Sequence, residues 1–599
     1  MKFTSSEPKE LLHQPRLGSY DPKEEARHLF KFMKAPKNSE ALWTRAVPFQ
    51  DNSFEDYHLV PISRMHLNNP LIISKLVEFR NSNIKLWPGA KLVDENSTLT
   101  WLEELVLKND DRILFLVQDS HQVIHGHIGI WLRDNTIFEI DNVIKDYKCN
   151  IKGLFSEALR TLCKWANEFI GESEFYLRVL NTNEHAIKFY ERNRFIVHAQ
   201  QQINGDQFND VDSQVNWIVM KLSIDEYFEV PRDILTAGPS IGPFEISLVT
   251  DAVRNGWNTK HSDYIHLFSN IFSEYVGAKF AIPTDSCTSA LHLSLWAIGI
   301  GPGDEVIVPE VTWVATASVV KMLGAKPIFA DIDPDTWTID IKSVENLINE
   351  KTKAIIPVHL YGFVADLAPL ENLCNKYNLK LIQDAAPGIG SMFKSQGIAT
   401  KGDFTCFSFQ GAKLLVTGEG GMLTTNNEEL FKKAFKISDS GRRPGTFWIE
   451  TLGKKMKMNN ITAALGVAQM QGVERQIAKK RLINDWYHQE FSNLPNVKMQ
   501  KELMDTRSIC WMSSLYFSNP QFNREELQTR LKIEGIDTRP VFSPISQYPI
   551  WGETLIPKTT AKMIGDNSLN LPSGVNLSKA SISKISNEIK QYVLELEGV

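Results

Sequence analysis

The stretch that decides the fold of the C-terminal half reads Phe407-Ser408-Phe409-Gln410-Gly411-Ala412-Lys413, followed by Thr417-Gly418-Glu419-Gly420-Gly421. An apolar, β-rich run ends here in a polar turn that carries one lysine and then a glycine cluster. A lysine in an apolar loop can have a depressed pKa and act as an amine nucleophile. An isolated lysine is usually a solvated surface group, so the interpretation depends on the neighbouring segments.

Two earlier segments have the same form, a predicted strand followed by a polar turn. In Leu381-Ile382-Gln383-Asp384-Ala385-Ala386, the predicted strand ends at Asp384. The Asp384 carboxylate could keep a nitrogen heterocycle protonated, or it could only cap a helix. The segment Thr284-Asp285-Ser286-Cys287-Thr288-Ser289-Ala290 is a hydroxyl-rich turn that precedes a predicted helix. The first N–H groups of this helix could bind a phosphate, or a hydroxyl of the turn could act only as the helix N-cap. Open α/β sheets bind ligands at the carboxyl ends of their strands, so the three turns together predict one site.

Short apolar runs alternate with predicted helices throughout this half, which indicates a parallel sheet covered on both faces. The predicted strands are 280–282, 305–308, 327–330, 354–358, 379–383 and 404–408. The proline- and glycine-rich segment Ser223–Pro243 precedes them and is the predicted linker to the first half.

In this order the three turns resemble those of the DegT/DnrJ/EryC1/StrS family of pyridoxal-phosphate sugar aminotransferases, which has the type I aminotransferase fold. The resemblance spans about Pro239 to the C-terminus. It also includes the runs Asn255-Gly256-Trp257, Gly299-Ile300-Gly301-Pro302-Gly303-Asp304-Glu305-Val306-Ile307-Val308-Pro309 and Thr312-Trp313-Val314-Ala315-Thr316-Ala317. The resemblance implies a mostly parallel sheet with a smaller C-terminal α/β subdomain, and pyridoxal 5'-phosphate as the cofactor.

The resemblance also implies roles for single residues. Lys413 would hold the cofactor covalently and shuttle the proton in catalysis, and Asp384 would pair with the pyridinium nitrogen. The other implied cofactor contacts are ring stacking by Trp313, backbone N–H groups of Cys287 and Thr288 on the phosphate, and the hydroxyl of Ser408.

Two positions differ from the family pattern. The family usually has Gln or His three residues after the aspartate, where this sequence has Pro387. The segment Gly453-Lys454-Lys455-Met456-Lys457-Met458 matches a family motif only in part and places Lys455 where the family reaches the phosphate of a neighbouring subunit. This match implies a homodimer with shared cofactor sites.

The first half shows a different pattern of predicted elements. These are strands at 112–117, 126–131 and 136–143, a helix at 154–169, a strand at 175–179, a helix at 184–193 and a strand at 215–222. The segment Leu177–Phe195 resembles the closing motif of the GNAT family of N-acetyltransferases, and the resemblance covers about residues 55–222. It implies acetyl-CoA as co-substrate, Tyr190 as the general acid for the CoA thiolate, and Asn183 as a contact of the CoA arm. The alternative is an amphipathic helix whose tyrosine only packs.

The other GNAT landmarks are weaker. The glycine-rich pyrophosphate loop is reduced to Asn150-Ile151-Lys152-Gly153-Leu154-Phe155, so Lys152, Gly153 and the start of the following helix are left to receive the pyrophosphate. Glu139 and Asp141 are the nearest carboxylates for a catalytic base, and strand alternation places both on one face.

Composition excludes several classes of protein. The chain has 599 residues, 43% of them hydrophobic and 23% charged, with 65 Lys and Arg against 71 Asp and Glu, so the net charge is −6. This excludes a wholly disordered chain and argues against nucleic-acid binding. No apolar run reaches the roughly 18–20 residues of a membrane span, and no secretory signal is visible. The six cysteines form no C-x-x-C pair, which favours a reduced, cytoplasmic location and no zinc site.

The sequence therefore predicts an α/β protein with an N-terminal extension (1–45), a GNAT-like acetyltransferase domain (46–222), a linker (223–243) and an aminotransferase domain (244–599). The predicted function is bifunctional: transamination of a nucleotide-linked keto sugar with glutamate, then N-acetylation of the new amine from acetyl-CoA. Two alternatives remain open, a non-catalytic GNAT-like binding or dimerisation module, and an aminotransferase that acts on a free cyclic ketone.

Overall fold

Two sheets of different character organise the chain, an eight-stranded and mainly antiparallel sheet in the first half and a seven-stranded, mainly parallel sheet in the second. The structure, a computed structural model, describes residues 12–84, 91–171, 173–202, 215–222, 230–552 and 555–598. Part of the predicted linker, 223–229, lies outside the described residues.

The first sheet has the strand order β1-β2-β3-β4-β5-β6-β8-β7. Its strands are β1 (Val47–Pro48), β2 (Tyr57–Pro61), β3 (Arg112–Asp119), β4 (Ile124–Asp134), β5 (Ile137–Lys145), β6 (Glu174–Leu180), β7 (Ile196–Gln202) and β8 (Asn216–Leu222). The helices of this half are α1 (Pro22–Lys34), α2 (Ser39–Thr44), α3 (Arg64–Leu67), α4 (Pro70–Ser82), α5 (Glu95–Trp101), α6 (Leu154–Ile170) and α7 (Glu184–Arg192). The predicted elements of this half are all present, with bounds that differ by a few residues.

Strands β5 and β6 are parallel and separate partway along their length. They pair only over 137–140 and 174–177, after which β5 continues beside β4 alone. Asn142 has a left-handed φ of 49°, and the β4–β5 register shifts between His127 and Gly129. The carboxyl-terminal parts of the two strands are therefore not hydrogen-bonded to each other, which leaves an opening in the sheet.

The N-terminal segment corrects one prediction. The sequence predicts an N-terminal extension over residues 1–45, but α1 packs into the core of the first half. Ala26, Leu29, Phe30 and Met33 lie in the same buried cluster as β3, β4 and α6, because α1 places its apolar residues at helical spacing on one face. Ahead of α1, Gly18 donates its backbone N–H to Glu474 of the second half at 2.9 Å.

The second sheet has the order β11-β10-β12-β13-β16-β17-β9, and β17 runs opposite to the six other strands. Its strands are β9 (Phe280–Thr284), β10 (Glu305–Pro309), β11 (Lys326–Ala330), β12 (Thr352–Ile355), β13 (Lys380–Asp384), β16 (Phe404–Ser408) and β17 (Gly421–Thr425). Helices α8 (Pro243–Asn255), α9 (Asp263–Val276), α10 (Cys287–Ala297), α11 (Ala315–Met322), α12 (Ile341–Leu347), α13 (Leu367–Tyr377), α14 (Glu428–Ser438) and α15 (Asn460–Met470) belong to this layer. The mostly parallel sheet is confirmed; the sequence analysis missed β17.

A smaller α/β unit follows, as predicted. Its sheet has the order β18-β20-β22-β21, with β18 (Val497–Met499), β20 (Ser514–Phe517), β21 (Arg539–Pro540) and β22 (Ser568–Asn570), and its helices are α16 (Val473–Phe491), α17 (Arg524–Ile533), α18 (Thr559–Asp566) and α19 (Lys579–Glu597). A separate three-stranded sheet consists of β14 (Met392–Phe393), β15 (Gln396–Gly397) and β19 (Thr506–Arg507). The described part of the linker is bound to the smaller unit, since Ile234 bridges Ile536.

The two halves pack directly against each other. Phe244 at the start of α8 contacts the buried clusters of both halves, and its ring centroid lies 4.1 Å from that of Phe32 in α1. Arg475 at the start of α16 lies 3.5 Å from the Glu25 carboxylate and donates to the Glu168 carbonyl in α6. The acetyltransferase-like half is therefore fixed to the second half by apolar stacking and by charged contacts.

Within the described ranges, no helix has both the length and the hydropathy that crossing a bilayer requires. All six cysteines are free and buried. The cytoplasmic location stays a prediction.

Candidate active sites

The three polar turns of the second half meet at one edge of the seven-stranded sheet. Strand pairing places Ser408 opposite Gly421, and Gly421 opposite Thr284, in one row across β16, β17 and β9. Asp384 pairs with Cys406 on the other side of β16. Parallel neighbours bring their carboxyl ends to the same edge, so turns that are distant in sequence become adjacent.

Asp384 ends β13 as a buried carboxylate with two hydrogen bonds. Its Oδ2 accepts from the Thr316 hydroxyl at 2.7 Å, and its Oδ1 accepts from the Ala386 backbone N–H at 3.1 Å. Burial raises the pKa of this carboxyl, while the two hydrogen bonds and the Lys413 ammonium oppose the shift. A cation placed against this carboxylate would stabilise its ionised form.

Lys413 lies in the loop that joins β16 to β17 and is half-buried. The loop is closed by hydrogen bonds from Gly411 N to Gly418 O at 2.9 Å and from Lys413 N to Gln410 O at 2.8 Å. Burial lowers the pKa of Lys413 to about 8, against the opposing field of Asp384. The sequence-based expectation of a lysine with a depressed pKa agrees with this environment.

The start of α10 forms a cradle of backbone donors. Ser286 is its N-cap and accepts from Ser289 N at 3.1 Å, so the N–H groups of Cys287 and Thr288 remain in the first turn, where no helical carbonyl can accept from them. Gly421 of β17 passes directly beneath, and a Cβ there would lie 2.5 Å from Cys287 N. Ser408 ends β16 in the neighbouring row.

The remaining predicted contacts lie in different settings. The Trp313 side chain is 63% exposed, with its ring centroid 6.0 Å from that of Phe542. Pro387 is buried and offers no polar side chain, so the family's ring contact is absent at that position. Lys455 is exposed, in a segment whose neighbour Met456 accepts from Asp285 N at 3.0 Å, next to the cradle.

These residues fit pyridoxal 5'-phosphate, the cofactor implied by the resemblance. Its phosphate matches the N–H groups of the α10 start and the Ser408 hydroxyl, its ring nitrogen matches Asp384, and its aldehyde matches Lys413. The fit rests on the buried Asp384 carboxylate, and on Gly421, a strand position where a Cβ would lie 2.5 Å from Cys287 N in the first turn of α10.

Tyr190 lies in the last turns of α7, between the rings of Phe189 and Phe195, whose centroids are 5.2 and 5.8 Å away. Burial and the nearby Asp141 carboxylate raise the pKa of Tyr190, which keeps the phenol protonated at neutral pH. Asp141 itself lies in β5 just beyond the point where β5 and β6 separate.

The two candidate carboxylates of β5 lie on one face, as alternation predicts, in different environments. Glu139 is bound by Arg133 at 2.5 Å and by Arg178 at 2.8 Å near the surface. Asp141 is paired with Arg112, and its Oδ1 is buried with no hydrogen-bond partner among the described residues. A Cβ on Gly129 would lie 2.3 Å from that oxygen, so the neighbouring strand makes room for the carboxylate. Of the two, Asp141 is the one that interacts with Tyr190.

The residues predicted to contact CoA are Asn183, Lys152 and Gly153, and the side chain of Asn183 already makes a hydrogen bond within the protein. The Asn183 side chain caps α7, accepting from Ala186 N at 3.1 Å, which occupies its oxygen. Gly153 is the N-cap of α6 with a φ of 85° and has no side chain to satisfy the first turn. Lys152 is exposed beside it. No side chain of the described residues caps the first turn of α6, and the expectation that this turn receives the pyrophosphate stays a prediction.

Sequence reasoning missed three residues of these sites. Thr316 lies in the first turn of α11, where its hydroxyl donates to Asp384 and lies 3.3 Å from the Thr312 hydroxyl, and the Thr312–Ala317 run alone does not identify it as the partner of Asp384. Arg112, the partner of Asp141, and Trp511, which faces Lys413, come from distant segments. No local sequence signal identifies those two.

Comparison with known proteins agrees with this geometry. The model of the DegT/DnrJ/EryC1/StrS aminotransferase family matches residues 239–590, and that of the acetyltransferase (GNAT) family matches residues 76–195. GDP-perosamine synthase of Caulobacter vibrioides is 35% identical over 370 residues, which are 61% of this chain and 100% of that protein. GDP-perosamine synthase of Escherichia coli O157:H7 is 36% identical over 355 residues, 59% of this chain and 97% of that protein.

Two solved structures are similar over the same half. The aminotransferase TlmJ from Streptoalloteichus hindustanus has a TM-score of 0.57 and 26% identity, covering 61% of this chain and 100% of that one. DesV from S. venezuelae, solved with a ketimine intermediate, has a TM-score of 0.55 and 26% identity, covering 58% of this chain and 94% of that one. The chain belongs to the DegT/DnrJ/EryC1/StrS aminotransferase family, whose cofactor is pyridoxal phosphate, and carries a GNAT acetyltransferase domain ahead of its aminotransferase domain.

Proposed function

We propose that this chain makes an N-acetylated amino-deoxy sugar on a nucleotide carrier. It would transfer an amino group from glutamate to a keto-deoxy sugar and then acetylate the new amine from acetyl-CoA. The observation that carries the proposal is the presence, in one chain, of two separate constellations, Asp384 with Lys413 and Asp141 with Tyr190.

In the first reaction the cofactor supplies an electron sink for the carbon that loses a proton. Asp384 would hold the proton on the ring nitrogen, and Thr316 would orient the carboxylate through its 2.7 Å hydrogen bond. The Nζ of Lys413 would remove the α-proton of glutamate and later deliver a proton to the sugar carbon that receives nitrogen. A pKa of about 8 lets this amine gain and lose a proton near neutral pH.

The sugar-nucleotide substrate is proposed from the relatives. Two of them, at 35% and 36% identity and covered almost completely by this chain, are GDP-perosamine synthases. This supports a nucleotide-linked sugar over a free cyclic ketone.

In the second reaction the amine would attack the thioester carbonyl of acetyl-CoA, and the C–S bond would break. Asp141 would accept a proton from the amine, and Tyr190, which burial keeps protonated, would donate one to the departing thiolate. The first turn of α6 behind Gly153 would receive the pyrophosphate. This reaction needs the amine made by the first, which sets the order of the two.

A second candidate has specific observations in its favour, a GNAT-like module without catalysis. The Asp141 carboxylate is paired with Arg112, and the Asn183 side chain caps α7. The domain also packs directly against the aminotransferase domain. In this reading, the domain serves structure or binding, and only the aminotransferase reaction occurs.

A homodimer is part of the proposal. Ahead of Lys455, the hairpin over residues 441–452 exposes Phe447 (94%), Trp448 (66%), Ile449 (55%) and Leu452 (78%), while the Arg443–Glu450 pair at 2.6 Å stiffens it. An exposed apolar group of this kind is typical of a subunit contact. Lys413→Ala chains mixed with Lys455→Ala chains are expected to regain transamination through hybrid sites; no rescue despite demonstrated subunit exchange would contradict shared sites.

Two experiments test the function. Products from a panel of nucleotide-linked keto sugars, incubated with glutamate and acetyl-CoA, are identified by mass spectrometry; no amino sugar from any panel member would contradict the aminotransferase assignment. Calorimetry with acetyl-CoA separates the two candidates, because a non-catalytic module that has lost the CoA site shows no binding. The Lys413→Ala variant is the matched control for the products and is expected to give none.

A further inference from the structure

The indole ring of Trp511 lies against the side chain of Lys413. Lys413 Nζ is 3.8 Å from the centroid of that ring, well within the distance of a cation–π interaction. Trp511 is 6% exposed and belongs to the smaller C-terminal unit, 98 residues away in sequence. The two side chains meet only through the tertiary fold.

Trp511 is also bonded to the turn that carries the lysine. Its Nε1–H donates to the carbonyl of Ala412, the residue before Lys413, at 2.8 Å. The ring therefore contacts both the amine and the backbone from which the amine extends. Few conformations of the 410–413 turn satisfy both contacts.

The backbone of Trp511 is fixed from two further sides. Its carbonyl accepts from the buried ammonium of Lys480 in α16 at 2.9 Å. The segment 509–512 is hydrogen-bonded to the 361–362 turn, with Ile509 N donating to Gly362 O at 3.0 Å. A Cβ on Gly362 would lie 2.9 Å from Trp511 N, so a glycine is required for this close approach.

We propose that Trp511 is a positioning residue for Lys413, whose ring face holds Nζ in place and favours its protonated form while the indole N–H fixes the turn. The inference rests on the proposed role of Lys413 as the residue that holds the cofactor. A lysine that is released during each turnover must stay beside the reacting carbon and accept its proton there. An aromatic face beneath Nζ serves both needs, since it attracts the ammonium more than the amine.

The test measures Lys413 itself. Apoprotein of the wild type, Trp511→Phe and Trp511→Leu is pulsed with pyridoxal 5'-phosphate across a pH series and quenched with borohydride. Peptide mass spectrometry then quantifies the adduct at Lys413. Because capture needs the neutral amine, the midpoint of its pH dependence reports the protonation of Lys413, and turnover is not needed.

The midpoint is expected to fall from wild type to Trp511→Phe and further to Trp511→Leu. Loss of a cation–π contact of about 0.5–2 kcal/mol corresponds to about 0.4–1.5 pH units for the leucine variant. Trp551→Leu is the matched control, because Trp551 is likewise buried and donates its Nε1–H to a carbonyl, that of Ile545, far from the lysine. Its midpoint is expected to equal that of the wild type.

The outcomes separate the possible roles. The inference would be overturned if both Trp511 variants had the wild-type midpoint, or if the midpoint of the leucine variant rose. Slower capture at every pH would not rescue it, because loss of a purely structural residue also slows capture. A wild-type adduct at another lysine would overturn the role of Lys413 and this inference together. The phenylalanine variant keeps an aromatic ring in the core, so the comparison remains possible if the leucine variant unfolds.

Discussion

At the scale of single residues, the aminotransferase site depends on two buried charges that moderate each other. Burial raises the pKa of Asp384 and lowers that of Lys413, and the field of each group opposes the shift of the other. Thr316 adds a hydrogen bond that favours the ionised carboxylate. The pair is therefore suited to hold one proton on a ring nitrogen and to move another at a carbon.

Replacement of Asp384 by asparagine is expected to leave cofactor binding measurable but to slow transamination about ten- to a hundred-fold. A neutral amide cannot hold the ring proton, and a charged hydrogen bond is worth about 1.5–3 kcal/mol. Release of 2-oxoglutarate from glutamate measures the effect. Asp335→Asn, at an exposed carboxylate paired with Lys501, is the control. Normal turnover in Asp384→Asn would show that the ring proton is held elsewhere.

At the scale of elements, the phosphate cradle needs β17 and α10 to touch. The strand passes beneath the first turn of the helix at Gly421, where a Cβ would lie 2.5 Å from Cys287 N and 2.5 Å from the Ser286 carbonyl carbon. Both neighbours are backbone atoms and cannot rotate away. The glycine therefore sets the distance between Ser408 in β16 and the helix N–H groups across the row.

Gly421→Ala is expected to weaken retention of pyridoxal phosphate about ten- to a hundred-fold. The added methyl pushes the first turn of α10 away, which costs about one charge-assisted hydrogen bond to the phosphate. Equilibrium dialysis of the cofactor measures the change, and thermal unfolding of the apoprotein shows whether the fold survives. Gly301→Ala is the control, because no atom lies within 4 Å of its Cβ position. Unchanged retention would mean that the phosphate binds away from this contact.

At the scale of the whole molecule, two sites lie in two domains that share an interface. That interface includes the His28 ring, stacked on Phe244 with centroids 5.4 Å apart, and the apolar contact of Phe244 with Phe32. The candidate catalytic residues Asp384, Lys413 and Tyr190 are not among these interface contacts. The reactions are therefore expected to respond separately to substitutions in either site.

Tyr190→Phe is expected to slow acetylation about 10²–10⁴-fold and to leave transamination unchanged, because general acid catalysis of this kind contributes about that factor. Free CoA and 2-oxoglutarate are measured in the same preparation. Tyr176→Phe, on β6 with its hydroxyl 3.0 Å from Glu174, is the control. A fall in both products would indicate misfolding or coupled sites. No fall in CoA release would make Tyr190 a packing residue and favour the non-catalytic module.

The interface is expected to lose stability in acid. Burial lowers the pKa of His28 to about 3, below its ordinary value of 6.5, so the unfolded chain binds a proton that the folded chain lacks. Stability from this group is complete above pH 6.5 and falls as the pH decreases toward 3. His13 acts in the same direction, with a pKa of about 4, whereas Glu25, raised to about 7 by burial, acts in the opposite direction.

His28→Phe isolates this contribution, since it keeps the aromatic stack on Phe244 and removes the titrating group. The melting temperature of the wild type is expected to fall more steeply between pH 6.5 and 4.5 than that of the variant, as measured by calorimetry. His266→Phe, at an exposed histidine in α9, is the control. Parallel curves for wild type and His28→Phe would show that this histidine does not resist protonation.

The sequence by itself determined the order of the elements, the two families and most of the candidate residues. Asp384, Lys413 and the start of α10 each follow a strand at the carboxyl end of a sheet edge, and that rule needs no coordinates. Hydrophobic periodicity likewise located α6 and most strands of the two large sheets, because burial of one face imposes the period.

Only the tertiary structure decided how these parts complete one another. Trp511 reaches Lys413, Arg112 pairs with Asp141, and α1 enters the core, each across a separation in sequence that leaves no local pattern. The short antiparallel β17 was missed for the same reason, since its place between β16 and β9 is set by the sheet and not by its own composition. Local periodicity records which face of an element is buried, whereas the identity of the partner on that face depends on how distant segments pack.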